Sequence, residues 1–160
     1  MAKLQWKPST ILNPVPVTMV TCADAKGTPN IITIAWTGTV SSDPPMVSIS
    51  VRPERYSHGL IAERQEFVIN LVTRNLVRAA DFCGVKSGRT VDKFKALKLT
   101  VEPASAVKVP LIAESPVNIE CVVEKIIPLG SHDLFLARIV AVNVDEGLID
   151  AKGKLCLDRA

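Results

Sequence analysis

Apolar and polar positions alternate in short runs along most of this chain, and a period of two is that of a half-buried strand. Residues 15–23 read as a strand, Asp24-Ala25-Lys26-Gly27 as a turn in which Gly27 takes positive φ, and residues 31–40 as the returning strand of a hairpin. Ser41-Ser42-Asp43-Pro44-Pro45 then breaks the ladder, because proline has no N–H to donate, and residues 46–51 resume the alternation. Ser57 is placed to cap a short helix through Arg64, and residues 66–71 return to strand. A second short helix is expected over residues 75–82, and a third, capped by Thr90, to about Leu97. Two long β runs follow, residues 117–127 and 134–145, joined by Pro128-Leu129-Gly130-Ser131-His132-Asp133. Consecutive strands with hairpin signals and only short helical inserts favour an antiparallel barrel over a doubly wound sheet.

Composition sharpens this expectation. The 160 residues suit one domain spanning 1–160, and 20 Val with 13 Ile tilt the chain towards sheet, because branched Cβ atoms fit a pleated surface. With 48% hydrophobic and 22% charged residues the chain is not of disordered composition. A net charge of +3 is too small a surplus to imply nucleic acid or membrane as a partner. No run approaches the roughly 18 apolar residues of a membrane span, and the first residues lack a signal peptide's apolar stretch. Cys22, Cys83, Cys121 and Cys156 lie far apart without a CxxC, which reads as reduced, mostly buried thiols in a cytoplasmic protein.

Several chemistries find no motif. Two histidines, His58 and His132, without HExxH or paired CxxC, make no zinc site, so no metal is expected. Gly84-Val85-Lys86-Ser87-Gly88-Arg89 is phosphate-friendly but is not a P-loop, and neither GxGxxG nor GxSxG occurs. Three segments remain: residues 34–45, 50–58 and 82–94. The second sets Arg52 and Arg55 just before the helix that Ser57 is expected to cap, and guanidinium forks and helix-end amides are common ways to hold a phosphate. The plainer alternative is a pair of solvated surface arginines.

Taken in order and spacing, these segments resemble the flavin reductase-like, FMN-binding split-barrel family, which includes the flavoredoxins. The resemblance runs from about residue 14 to 147 through Pro14-Val15-Pro16-Val17, Pro29-Asn30, Ala35-Trp36, Ser42-Asp43-Pro44-Pro45, Tyr56-Ser57, Phe67-Val68-Ile69-Asn70-Leu71, Asp92-Lys93-Phe94 and Gly130-Ser131-His132-Asp133-Leu134-Phe135. It implies a mainly β, antiparallel Greek-key split barrel with short helices, forming a homodimer with one FMN in each of two sites near the interface. Ala35, Trp36 and Thr37 would lie along the isoalloxazine edge, where N–H donors stabilise the charge gained on reduction. Ser50, Arg52 and Ser57, with Val51 in the same stretch, match positions that hold the ribityl phosphate. Ser87 and Lys93 match a segment that closes over the flavin, and the backbone of Cys83 and Gly84 is expected beside it.

Single residues keep two readings. Cys83 is either a backbone neighbour of the cofactor or a redox thiol, and His132 either a catalytic residue facing the pocket or a turn histidine bonded to backbone. Trp36 is expected to meet the flavin by its backbone, its ring serving core or interface, and His58 reads as an exposed first-turn residue. Many family members carry a tail past the last strand, and a short or missing one is expected here. The implied function is an FMN-dependent oxidoreductase passing electrons from NAD(P)H or a protein donor to a small-molecule or protein acceptor. The alternatives are an FMN-holding electron-transfer protein without a nicotinamide site, and a non-catalytic barrel module.

Overall fold

The computed structural model describes residues 1–160. In chain order the elements are β1 (Thr18–Ala23), β2 (Pro29–Ile34), β3 (Thr37–Ser42), β4 (Pro45–Val51), α1 (Tyr56–Arg64), β5 (Glu66–Leu71), α2 (Val77–Val85), α3 (Lys93–Leu97), β6 (Val101–Glu102), β7 (Leu111–Ile112), β8 (Val117–Pro128) and β9 (Asp133–Val144). Seven strands form one antiparallel sheet in the order β2-β1-β5-β8-β9-β4-β3, and β6 pairs with β7 apart from it.

The edges of that sheet, β2 and β3, are separated in sequence only by Ala35 and Trp36. Three peptide links reach at most about 11 Å, whereas the outer strands of a flat seven-stranded sheet lie about 29 Å apart. The sheet therefore rolls until its edges meet, giving the expected split barrel. Alternate residues of six strands point inwards: Val20 and Cys22, Ile32 and Ile34, Val47, Ile49 and Val51, Phe67 and Ile69, Cys121 and Val123, Phe135 and Ala137. Leu60 and Ile61 of α1 plug this core. The other face of β1 and β2 is buried too, as Met19 and Ile31 pack beneath Ala80 and Cys83 of α2 and Phe94 of α3.

Several elements differ from the sequence expectation. The strand expected over residues 31–40 is two strands, because after Ile34 the chain leaves one edge of the sheet and joins the other. Residues 41–45 do not end the ladder. Asp43-Pro44 forms the tip of a hairpin in which Ser42 pairs with Pro45, an edge position that tolerates proline. Ser57 is not the cap of α1; Arg55 occupies that place, and Ser57 lies inside the first turn, 2% exposed. Thr90 does not cap α3. Asp92 does, accepting from the Lys95 amide at 3.0 Å. His58 is half-buried rather than exposed, with Nε2 2.8 Å from Asp133 Oδ2 and its ring edge-on to Phe135.

Glu120 of β8 is fully buried yet has no cationic partner. Its carboxylate accepts from Ser105 N (2.8 Å) and Oγ (2.6 Å), Ala106 N (2.6 Å), Val107 N (3.0 Å) and Asn143 Nδ2 (2.7 Å). Burial pushes its pKa up, but the Ser105 and Asn143 side chains and the two amides outweigh burial and bring it to about 2. The carboxylate thereby pins the 104–109 loop across the outside of β5, where Val107 and Val109 cover Val68.

Glu120→Gln puts an NH2 group against amide donors, and stranding two of them costs about 2–4 kcal/mol. A fall in melting temperature of about 5–12 °C is the expected result, read by calorimetry. Because the folded pKa lies below the ordinary glutamate value, the charge of Glu120 stabilises the fold above about pH 4.5. That contribution is lost as pH falls towards about 2, so the gap between wild type and variant narrows in acid.

Candidate functional site

Where the rolled edges meet, they leave a groove of about 200 Å³. One wall is the end of β2 and its crossing, Thr33 to Trp36; the other is Ser50, Val51 and Arg52 at the end of β4, with His132 from the β8–β9 turn at the rim. The crossing leaves the ladder. Trp36 O accepts from Ser50 N at 2.9 Å, while the amides of Ala35 and Trp36 and the carbonyl of Ala35 have no backbone partner. Trp36 is 45% exposed, and its ring packs against that of His132, centroids 4.7 Å apart and planes tilted by 38°. His132 Nδ1 meets Ser131 Oγ at 2.9 Å, and the His58–Asp133 pair ties the same turn to α1.

A second hollow of about 250 Å³ adjoins the groove, the two sharing Ile32, Arg55 and Gly84. Four cationic residues line it, Arg55, Lys86, Arg89 and Lys93, against one acid, Glu54. Lys93 is 4% exposed, and its ammonium donates to Ile31 O at 2.6 Å and Cys83 O at 2.9 Å, clamping α2 to β2. Burial holds its pKa below the ordinary lysine value, and two of its three N–H donors are taken. Asn30 Nδ2 donates to Ser57 Oγ at 2.8 Å at the base of the hollow. The Ser87–Arg89 loop closes one side, with the Arg89 guanidinium 5.6 Å above the Tyr56 ring and bonded to Glu54 O at 3.3 Å. Gly88 permits this closure, since a Cβ there would overlap the Asn30 side chain and approach Tyr56 Cδ1 to 2.9 Å.

Of the residues singled out from sequence, Ala35, Trp36, Ser50, Val51, Arg52 and His132 line the groove. Ser57, Cys83, Ser87 and Lys93 line the basic hollow, and Gly84 lines both. Thr37 lines neither; its hydroxyl donates to Ser48 O at 2.8 Å inside the β3–β4 ladder. Arg52, half exposed and 3.5 Å from Glu54, stands on the groove side, whereas Arg55 reaches both hollows. Lys86 and Arg89 join them in the hollow without a role expected from sequence; their only signal there is their place in the phosphate-friendly 84–89 segment. Asn30, in the Pro29-Asn30 pair that carries part of the resemblance, has no role legible in sequence, because only the fold brings it to Ser57.

Cys22, Cys83 and Cys121 are buried, and burial raises their thiol pKa values to about 11, 11 and 12. Thiol titration of the folded protein at neutral pH should therefore modify half-buried Cys156 first, and the other three only after denaturation. Gly88→Ala is expected to lift the Ser87–Arg89 loop. Faster hydrogen exchange at the Thr90 and Val91 amides, both bonded to Ser87 O, reads this out.

Comparison with known proteins agrees with this architecture. A sequence model of the flavin reductase-like domain matches residues 12–157. The structure superposes on flavoredoxin of Desulfovibrio vulgaris (Miyazaki F) with a TM-score of 0.91 and 34% identity, covering 98% of this chain and 84% of that one. An FMN-binding protein from Thermus thermophilus, solved with 1-cyclohex-2-enone, gives a TM-score of 0.83 and 26% identity, covering 97% and 86%. In sequence, an NADPH-flavin oxidoreductase of Streptomyces viridifaciens is 26% identical over 89% of this chain and 74% of its own length.

Proposed function

The chain belongs to the flavin reductase-like domain family, and on that premise we propose that it is an FMN-binding oxidoreductase of the flavin reductase or flavoredoxin kind. It takes electrons from NAD(P)H or a protein donor and passes them to a small-molecule or protein acceptor, working as a cytoplasmic homodimer. The observation that carries this reading is the joined pair of hollows: a groove with unpaired backbone amides at one end, and a cationic hollow at the other. A flat heteroaromatic ring with a hydrogen-bonding edge and a phosphate on a short chain needs this combination.

Bound there, FMN supplies an acceptor for hydride and a donor of one or two electrons. The chain's own residues do the rest. The Ala35 and Trp36 amides offer N–H donors to the ring edge that gains negative charge. Arg55, Ser57, Ser87, Arg89 and Lys93 hold the phosphate, Arg55 and Lys93 as charges and the hydroxyls as neutral donors. Gly84 lets the backbone of α2 approach the cofactor where the two hollows join. His132 and Trp36, packed ring against ring, form one wall that excludes water from the flavin ring, and His132 keeps Nε2 free to hold or pass a proton at the rim.

Titrating the protein into FMN should quench flavin fluorescence saturably at one FMN per chain; absence of binding would sink the reading. Steady oxidation of NADH or NADPH by the loaded protein marks the reductase form, and reduction by a protein donor alone marks the electron-transfer form. Arg55→Ala should weaken FMN binding by more than tenfold, since a charge-assisted contact is worth about 1.5–3 kcal/mol. Arg52→Ala, on the groove side and paired with Glu54, should weaken it less.

A further inference from the structure

We infer that Asn30 is a positioning residue that fixes the Ser57 hydroxyl as a donor into the basic hollow, and so makes the site select a phosphorylated flavin over an unphosphorylated one. The inference rests on the FMN reading above. A serine hydroxyl alone can turn its proton in any direction and act as donor or acceptor. The Asn30 amide removes that freedom. Its Nδ2 donates to Ser57 Oγ at 2.8 Å, and its second proton faces Cys22 Sγ at 3.9 Å, on the residue paired with it across β1 and β2. With a lone pair of Ser57 Oγ occupied by a donor, the Ser57 proton is left to be given away.

The alternative acceptor inside the chain is the Cys22 sulfur, which burial keeps as a neutral thiol and which is a weak acceptor. A phosphate oxygen in the hollow is a far stronger one. Asn30 is also held still. It is 5% exposed, pairs with Cys22 in the β1–β2 ladder, and packs under Gly88, where no Cβ would fit between it and the loop. Ser57 is 2% exposed and Lys93 4%, so the donors at the base of this hollow are set in place rather than recruited from solvent. The same tight contact couples the polarity of Ser57 to closure of the Ser87–Arg89 loop, whose residues complete the cationic lining.

The test compares FMN with riboflavin, which shares the ring and ribityl chain but has no phosphate. Both affinities are measured by fluorescence titration for wild type, Asn30→Ala, Asn30→Asp, Ser57→Ala and the Asn30→Ala/Ser57→Ala double variant. Asn30→Asp is close to isosteric; its carboxylate accepts from Ser57 instead of donating, and remains informative if the alanine variant does not fold. The expected result is a loss of FMN affinity of about tenfold in Asn30→Ala and more in Asn30→Asp, with riboflavin affinity changed less than about twofold. The double variant should bind FMN no more weakly than Ser57→Ala, because Asn30 acts through Ser57. Equal losses for both ligands, additive losses in the double variant, or no loss would each overturn the inference while leaving the FMN reading intact. Failure of the wild type to bind either flavin would overturn the FMN reading itself, and the inference with it.

Discussion

A link of two residues between the opposite edges of one sheet is the constraint on which the rest of this structure depends. It forbids a flat sheet, so six strands turn their alternate residues towards a common axis and build the main core. The same link cannot sit in a ladder on both sides at once. Its backbone donors are therefore left unpaired at the seam where the edges meet. Core and candidate site are two results of one connection.

The second half of the site is an electrostatic arrangement outside that seam. Lys93 reaches under α2 to two carbonyls, one on β2 and one on α2, and so fastens the helix that carries Gly84 to the strand that carries Asn30. Further along the same sheet, on β8, Glu120 does the equivalent for the 104–109 loop with five donors and no cation. Each buried charge is held by fixed dipoles rather than by an opposite charge. Such an arrangement defines one geometry without the desolvation of a second ion.

Most strands were legible in the sequence because their inward residues alternate, as Val47, Ile49 and Val51 do. Turn chemistry was legible at Gly27, whose φ is +88° as the hairpin requires. The break at Ala35-Trp36 was not legible. Thr33, Ile34, Thr37 and Val40 continue a β-favouring run, and nothing local marks a change of edge. Both expected caps failed for one reason: Ser57 and Thr90 are good capping residues, but tertiary packing took Ser57 into the base of the hollow and left the start of α3 to Asp92. Within the site, segments were easier to read than partners. Arg52 and Arg55 are equivalent in sequence, and only the three-dimensional path of the 52–57 turn separates them. The family resemblance named the stretches, and the fold distributes them between two hollows.

The pairing of Met46 in β4 with Arg138 in β9 bears on the order in which the molecule is made. Strands β1, β2 and β5 and the first helices can form while the chain is still being synthesised. Strand β4, with Ser50 to Arg52 at its end, has no inner neighbour until β9 has emerged. The loop closed by that pairing is among the longest in the fold, and its entropic cost falls on the last stage of folding. The groove and its His132 rim therefore come into being only once β9 is available to pair with β4. Until then the two walls of the groove belong to separate parts of the chain, and neither alone has a pocket to offer a ligand.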